Sequence, residues 1–333
     1  MSDGARKEVV ERLLAAQRFL VTTHKNPDGD ALGSLLAMEG LLRALGKEVA
    51  VAISPADLPP PPEYRHLQLP RSDGRLPTDL ADYTVVALDC GNLDRLPDER
   101  LARAGQLINI DHHHDNTRFG EVNLVEPTAS CTAEIVFSLF QELAVEPTPA
   151  VAEALYIGVV TDTGRFMYEN TGPAAHRMAA ALLEAGVQPA EVYHRLYEGV
   201  PEGKVALLAR ALGKLGRRLG GRLTYCVLDR EDFLATGAEP SFSEGVVDHL
   251  RAVEGTVVAA LVREVEDGFK VSLRSTADAV DVSRIARLQG GGGHRRAAGF
   301  HTTLPPEELL AFLQEQLAAQ LEGLPSTPTA AAS

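Results

Sequence analysis

Short apolar runs alternate with longer amphipathic segments in the first half of the chain, and this pattern predicts β-strands followed by helices. We expect strands at residues 19–23, 49–53, 83–88 and 107–110, and helices at 5–18, 31–45, 130–143 and 150–160. The run at 83–88 is apolar at nearly every position, which is typical of a parallel strand buried on both faces. The pattern therefore predicts an α/β domain, with a parallel sheet and helices on both faces.

A second α/β pattern begins after the break at residues 199–201. It predicts a helix at 201–215, a strand at 223–228, a hairpin formed by 257–265 and 269–273, and an amphipathic helix at 305–321. A chain of 333 residues is long enough for two cores. We expect a larger domain at 1–198, a helical linker at 199–216, a smaller α/β domain at 217–324 and a disordered tail at 325–333.

Acids and histidines follow the apolar segments of the first domain. They are His24, Asp28, Asp30, Asp89, Asp111, His112, His113 and Asp162. The carboxyl ends of parallel strands meet at one edge of a sheet, where open α/β sheets build their sites. Taken alone, Asp28 and Asp30 could instead cap the helix that follows them, and Asp162 could be an ordinary acid at a helix end.

Carboxylates and imidazoles gathered at one edge would need bound cations, because the acids repel each other. Mixed oxygen and nitrogen ligation without a thiolate favours Mn²⁺ over structural zinc, and Mg²⁺ prefers more oxygen ligands. Two ions about 3.5–4 Å apart form the usual clamp for displacement at phosphorus. The pattern predicts a phosphoryl-transfer site with two Mn²⁺ ions, and with Mg²⁺ as the alternative metal.

Composition limits the partners that the protein can bind. A net charge of −14 is unfavourable for binding long nucleic acid, but it leaves room for short ligands that carry phosphate. Cys90, Cys131 and Cys226 form no C-x-x-C pair, which fits a reducing compartment. No apolar stretch reaches the length of a membrane span, and the N-terminus does not resemble a signal peptide. We expect a cytoplasmic protein that binds neither a membrane nor long duplex nucleic acid.

The order of these motifs resembles the DHH phosphoesterase superfamily, which is named after the sequence found here at Asp111-His112-His113. Residues 24–34 resemble its first motif, Asp89 its second and residues 161–164 its fourth. The resemblance implies that His24 and Asp28 hold one metal ion, and that Asp30, His112 and Asp162 hold the other. It also implies that Asp89 bridges the two ions, that His113 contacts the scissile phosphate or helps the leaving group, and that Asp111 orients the imidazoles.

A run of four glycines ends in His294-Arg295-Arg296 in the second domain. Consecutive glycines let backbone N–H groups crowd around an anion, and the Arg274 guanidinium can grip phosphate. The run resembles the GGGH motif of the DHHA1 domain, which in that family lies across an interdomain cleft from the metal ions. The resemblance implies a substrate-binding set made of Arg274, Ser275, Gly291, Gly292, Gly293, His294 and Arg295.

The layout of two domains without further ones resembles the oligoribonucleases (nano-RNases) of this superfamily. The resemblance implies hydrolysis of short RNA or DNA fragments to mononucleotides, with 3′-phosphoadenosine 5′-phosphate (pAp) as a second substrate. Other hydrolases on the same core remain open: a linear dinucleotide phosphodiesterase, a single-strand exonuclease of the RecJ type, or a pyrophosphatase. A nucleotide sensor without catalysis and a homodimeric state also remain open.

Overall fold

The computed structural model describes residues 2–69, 76–104 and 106–321, and the tail expected at 325–333 lies outside them. Contacts within the chain divide it into two compact units, Met1–Gly199 and Val200–Ser333. The helix expected to join the domains belongs to the second unit by its contacts. Each unit is described separately below.

The first unit is built on a parallel sheet. Its strands are β1 (Arg18–Thr23), β2 (Glu48–Ala52), β3 (Thr84–Leu88), β4 (Gln106–Asp111) and β5 (Val122–Val125). Among the described residues, these five strands are ordered β2–β1–β3–β4–β5, and every neighbouring pair is parallel. The residues that follow β1, β3 and β4 therefore leave the sheet at the same edge.

Helices of the first unit pack on one face of this sheet. They are α1 (Ser2–Ala15), α2 (Gly29–Ala44), α3 (Thr132–Glu142), α4 (Pro149–Asp162), α5 (Pro173–Glu184) and α6 (Pro189–Tyr197). The α2 and α4 helices approach so closely that a Cβ atom added at Gly33 would lie 2.3 Å from the carbonyl oxygen of Ala154. Short 3₁₀ helices, Leu93–Arg95 and Glu99–Arg103, lie near the opposite face, where Leu96 and Leu101 are buried.

The second unit contains a mixed sheet with helices on both faces. Its strands are β6 (Gly216–Arg218), β7 (Leu223–Leu228), β8 (Val258–Val265), β9 (Gly268–Ser275), β10 (Gly292–His294) and β11 (Ala297–Thr302). Its α-helices are α7 (Glu202–Gly213), α8 (Arg230–Thr236), α9 (Val246–Arg251), α10 (Val282–Leu288) and α11 (Pro306–Leu321). The described strands are ordered β10–β11–β9–β8–β7–β6, and of the neighbouring pairs only β7 and β8 run parallel.

The predicted α/β fold class is confirmed, but the described α-helices of the first unit pack on one face of its sheet, and only short 3₁₀ helices lie near the other face, where helices were also expected. The hairpin expected in the second unit is also present, as β8 and β9, whereas β5, β6, β10 and β11 were not predicted. Within the described ranges, no helix combines the length and the apolar character that crossing a bilayer requires.

Candidate metal centre

His24 and Asp28 lie in the turn that connects β1 to α2. The Nδ1 atom of His24 is 2.8 Å from the carbonyl oxygen of Lys25, and its Nε2 atom is 3.5 Å from Oδ2 of Asp89. A hydrogen bond from Nδ1–H to that carbonyl would leave Nε2 with its lone pair, which is the state that ligates a metal. Asp28 is the N-cap of α2, and its Oδ1 atom accepts hydrogen bonds from the N–H groups of Asp30 and Ala31.

Asp30 is buried between the first turns of α2 and α3. Its carboxylate accepts hydrogen bonds from the backbone N–H groups of Thr132 and Ala133, at 2.7 and 2.9 Å. Burial, followed by the charges of Asp89, Asp162 and Asp28, raises the pKa of Asp30 well above its usual range. A carboxylate that is buried among other acids is unfavourable as an unpaired anion. A bound cation would stabilise it, so Asp30 is a suitable metal ligand.

Asp89 follows β3 and lies at the centre of the cluster. It is 2% exposed, and its φ of 55° is a left-handed value that is uncommon for a residue other than glycine. Its Oδ1 atom accepts a hydrogen bond from the Thr132 hydroxyl and lies 3.7 Å from Nε2 of His112. Burial raises the pKa of Asp89, but the contact with His24 and the charges of the nearby imidazoles outweigh it and lower that pKa.

His112 and Asp162 lie next to each other and complete the cluster. Asp162 is the last residue of α4, and its Oδ2 atom is 3.6 Å from Nε2 of His112. Asn170 donates hydrogen bonds to the carbonyl oxygen and to Oδ2 of Asp162, each at 3.1 Å. Burial, opposed by His112 and reinforced by Asp89, raises the pKa of Asp162 to about 7.

Asp111 and His113 form a hydrogen-bonded pair beside the cluster. The Nδ1 atom of His113 is 2.7 Å from Oδ1 of Asp111, which is fully buried and also accepts hydrogen bonds from the His112 N–H and from Asn116. Burial lowers the pKa of His113, but Asp111 and Asp89 outweigh it and raise the pKa to about 9. The pair therefore fixes the orientation of the imidazole, and in the metal-free protein the two carboxylates favour its protonated form.

The structure thus brings the eight predicted side chains of the first unit together from four separate segments: residues 24–30, Asp89, residues 111–113 and Asp162. Three overlapping groups have potential ligand atoms within 4.8 Å of one another: His24 with Asp28 and Asp89, Asp30 with His112 and Asp162, and Asp89 with His112 and His113. Asp89 is shared by the first and the third group. Oxygen and nitrogen donors around one shared carboxylate suit a pair of divalent cations.

The predicted binding residues of the second unit lie on β9, β10 and the loops beside β10. Arg274 pairs with Ala297 of β11, and His294 pairs with the same Ala297 from the other side, so Arg274 and His294 share one face of the sheet. Ser275 is directed to the opposite face, where its hydroxyl donates to the carbonyl oxygen of Ala277.

The glycine run is organised differently from the open loop that its composition suggests. Gly292 and Gly293 belong to β10 and pair with Gly299 and Ala298 of β11 in a tight hairpin, whereas Gly291 directly precedes the strand. Arg295 follows the strand, and its Nε atom donates to the carbonyl oxygen of Asp278 at 2.7 Å. The glycines therefore permit close pairing of two strands as well as access to the backbone.

Comparison with known proteins identifies the family. Residues 18–159 match the N-terminal domain of the DHH family, and residues 220–322 match the DHHA1 domain. Over 285 residues the chain is 39% identical to the bifunctional oligoribonuclease and PAP phosphatase NrnA of Thermus thermophilus, covering 84% of this chain and 82% of that protein. The chain belongs to the DHH family.

Solved structures of the DHH fold also match. An exopolyphosphatase-related protein from Bacteroides fragilis superposes with a TM-score of 0.84 and 24% identity, over 95% of this chain and 96% of that one. The exonuclease RecJ, solved bound to manganese, superposes with a TM-score of 0.54 and 17% identity, over 98% of this chain and 95% of that one. Both likenesses concern the fold.

Three polar residues that sequence reasoning missed hold the acids and imidazoles of this DHH cluster in place. Thr132 contacts both Asp30 and Asp89, Asn170 holds Asp162, and Asn116 holds Asp111. Thr132 is the first residue of α3, and a polar residue at the start of an apolar helix is a signal that could have identified it. Nothing in the local sequence distinguishes Asn116 or Asn170 from an ordinary turn residue.

Proposed function

We propose that the protein is a phosphoesterase dependent on two divalent cations, and that it hydrolyses oligonucleotides of a few residues to mononucleotides and removes the 3′-phosphate of pAp. The observation that carries the proposal is the set of acids and imidazoles around Asp89. The name of the Thermus thermophilus relative and its identity over most of both chains support the substrate class. The net charge of −14 favours short substrates over long nucleic acid.

The donor set fits two metal ions. We propose that His24 and Asp28 hold one ion, that Asp30, His112 and Asp162 hold the other, and that Asp89 contacts both. Asp30 and Asp89 are almost completely buried, so their charges need compensation that the described side chains supply only in part. Manganese suits this mixture of ligands, and the RecJ neighbour was solved with manganese. Magnesium is the second metal that we propose to test.

When bound, the two ions would activate a water molecule and offset the negative charge that develops on the phosphoryl oxygens. The protein's own contribution is the orientation of the groups around that phosphate. The hydrogen bond between Asp111 and Nδ1 of His113 turns Nε2 of His113 away from Asp111. With Nδ1 bonded to Asp111, the Nε2 atom of His113 is the one that can hydrogen-bond a phosphate oxygen or, when protonated, donate to the leaving oxygen.

We propose that the second unit holds the part of the substrate that is remote from the scissile phosphate. Arg274 and His294 lie on the same face of its sheet, and both offer donors that suit a phosphate or a nucleotide. The Ser275 hydroxyl, on the opposite face of the sheet, and the Arg295 Nε atom donate to nearby carbonyl oxygens, so we expect these two residues to support the local structure more than to grip the ligand. Gly291, Gly292 and Gly293 would offer backbone N–H groups. The enzyme would work in the cytoplasm, where the free thiols of the protein stay reduced.

A substrate panel tests the proposed function. Pyrophosphate, a dinucleotide, pAp and a 20-mer are each incubated with the protein in Mn²⁺ and in Mg²⁺, and the products are separated by chromatography. We expect rapid turnover of the dinucleotide and of pAp in Mn²⁺, and slow turnover of the 20-mer. Turnover of pyrophosphate alone, or no turnover of any substrate in either metal, would contradict the proposal.

A further inference from the structure

A tight loop follows Asp162 and has an unusual backbone. Gly164, Arg165 and Phe166 have φ values of 55°, 63° and 64°, so three consecutive residues are left-handed and two of them are not glycine. Such residues are strained, and they persist where the surrounding structure holds them. The Thr163 carbonyl oxygen accepts hydrogen bonds from the N–H groups of both Met167 and Tyr168, at 3.0 and 2.9 Å.

This loop is anchored at both ends and turns two apolar side chains outward. Asn170 is bonded to Asp162, and the Phe166 ring stacks on His176 with ring centres 5.0 Å apart. Met167 is 81% exposed and Tyr168 is 41% exposed, although both are large apolar side chains. An apolar surface held rigidly beside a polar site is a feature of ligand binding.

Tyr168 lies against the residue that follows the cluster. A Cβ atom added at Gly164 would be 2.4 Å from Cζ of the Tyr168 ring, so the ring packs directly on the glycine backbone. The ring thus contacts the backbone two residues beyond Asp162, and Tyr168 is partly exposed. The loop that carries Tyr168 begins directly after Asp162, a proposed metal ligand, and Asn170 at its far end bonds back to that carboxylate.

Further aromatic side chains continue the surface. The Tyr193 and Tyr197 rings have centres 5.2 Å apart, and the Arg165 guanidinium lies 5.2 Å from the centre of the Tyr197 ring. Tyr168 and Tyr193 are both close enough to Tyr197 to affect its pKa, which burial raises. Aromatic residues make up only 5% of the chain, yet three tyrosines gather around the loop that follows Asp162. We call Arg165, Met167, Tyr168, Tyr193 and Tyr197 the aromatic shelf.

We propose that the aromatic shelf binds the base of the nucleotide whose phosphate is hydrolysed, with Tyr168 and Met167 stacking on that base. This inference rests on the proposed function. Stacking on an aromatic ring accepts every base, which suits an enzyme that degrades fragments of any sequence. Arg165 adds a positive charge at the same surface, which favours a phosphate-bearing nucleotide over an uncharged apolar partner.

The test compares Tyr168→Ala and Tyr168→Phe on two dinucleotides in Mn²⁺. One dinucleotide is normal, and the other is abasic at the nucleotide that carries the scissile phosphate. We expect Tyr168→Ala to raise KM for the normal dinucleotide roughly 10- to 100-fold, because it removes one stacking contact. Tyr168→Phe should resemble the wild type, and the abasic dinucleotide should not distinguish the three proteins. Leu14→Ala, which removes a half-exposed apolar side chain from α1, is the matched control.

Three outcomes would contradict the proposed role of the aromatic shelf. Unchanged KM in Tyr168→Ala would exclude stacking, and an equal rise of KM on both dinucleotides would exclude recognition of the base. A fall of kcat on both dinucleotides would show that Tyr168 only supports Asp162. Equilibrium dialysis tests base binding by the aromatic shelf independently of the proposed hydrolysis. Wild-type protein should bind adenosine 5′-monophosphate more tightly than ribose 5-phosphate even if no oligonucleotide is hydrolysed, and Tyr168→Ala should lose that difference.

Discussion

The carboxylate of Asp30 accepts a hydrogen bond of 2.7 Å from the backbone N–H of Thr132, which lies 102 residues later in the chain. The N-terminus of α3 therefore points at an acid of α2, where its partial positive charge stabilises an anion. The Thr132 hydroxyl also donates to Oδ1 of Asp89, at 3.0 Å. One residue thus couples two of the proposed metal ligands, and the packing of α2 against α3 determines the shape of the metal centre.

The metal-free protein should lose stability as the pH rises through neutrality. The pKa of Asp162 is raised to about 7 in the native state, against about 3.9 in an unfolded chain. The native state therefore binds more protons between these values, and the free energy of unfolding falls as the pH rises. The pKa of His113, about 9, has the same effect at higher pH, because the protonated imidazole stabilises the native state. We expect a lower Tm at pH 8 than at pH 6 in EDTA.

Added Mn²⁺ should raise the Tm at both pH values, and the rise should be larger at pH 8, where the acids have lost their protons. Asp162→Asn removes one titrating carboxyl, so its Tm in EDTA should depend less on pH between 5 and 7. Thermal unfolding followed by circular dichroism gives each Tm. A Tm in EDTA that increases from pH 6 to pH 8 would contradict the assignment of these pKa shifts.

His113→Ala should lower kcat for the dinucleotide by about 10²–10⁴-fold, because the variant loses a proton donor at the reacting phosphate. Asp111→Asn should lower kcat less, by about 10–100-fold, because the imidazole is retained without its orienting carboxylate. Steady-state kinetics in Mn²⁺ measure both effects. His194→Ala, which removes a largely exposed imidazole from α6, is the control and should retain normal kcat. Equal activity of His113→Ala and the control would exclude the proposed role.

His294→Ala should raise KM for the dinucleotide with little change in kcat, because it removes binding remote from the reacting phosphate. His301→Ala is the matched control, since this imidazole lies farther along β11 and bonds to Asp267 at 3.1 Å. The same kinetic assay decides the question. A collapse of kcat at unchanged KM in His294→Ala would place the residue in the chemical step instead.

Gly33→Ala should destabilise the first unit by about 1–3 kcal/mol, as overpacking of a tight interior usually does. The added methyl would overlap the Ala154 carbonyl oxygen, and α2 would have to move away from α4. Asp30 is on the same helix, so Mn²⁺ affinity should fall with stability. Gly213→Ala, at a helical position with open space around it, should be neutral or slightly stabilising. Urea unfolding of both variants gives the comparison.

Apolar periodicity predicted the buried strands and long helices, because burial on both faces leaves nearly continuous apolar runs. It missed β5, whose four residues include the half-buried Asn123. It also missed β10, because Gly292 and Gly293 have no side chains from which a pattern could be read, and it missed β11, which pairs with β10. Pairing with β9 and the close approach of two backbones form this hairpin, and neither is visible in local sequence.

The acids and histidines of the candidate site were predicted because each follows a strand or helix whose end the sequence indicates. Their supporting contacts were not predicted, since Asn116 and Asn170 reach Asp111 and Asp162 through turns that depend on the tertiary fold. The raised pKa of Asp30 likewise results from burial and from carboxylates distant in sequence. Sequence therefore indicates which groups are available, and the fold determines their charge.

The most direct test of the two-metal account is anomalous diffraction at the manganese edge from crystals grown with Mn²⁺. We predict two anomalous peaks, one beside His24 and Asp28 and the other beside Asp30 and Asp162, with the Asp89 carboxylate between them. Asp89→Ala, crystallised in the same way, should show weaker or missing peaks and have no detectable turnover. Wild-type crystals with no anomalous peak among Asp30, Asp89 and Asp162, or an Asp89→Ala variant with normal activity in Mn²⁺, would contradict the account.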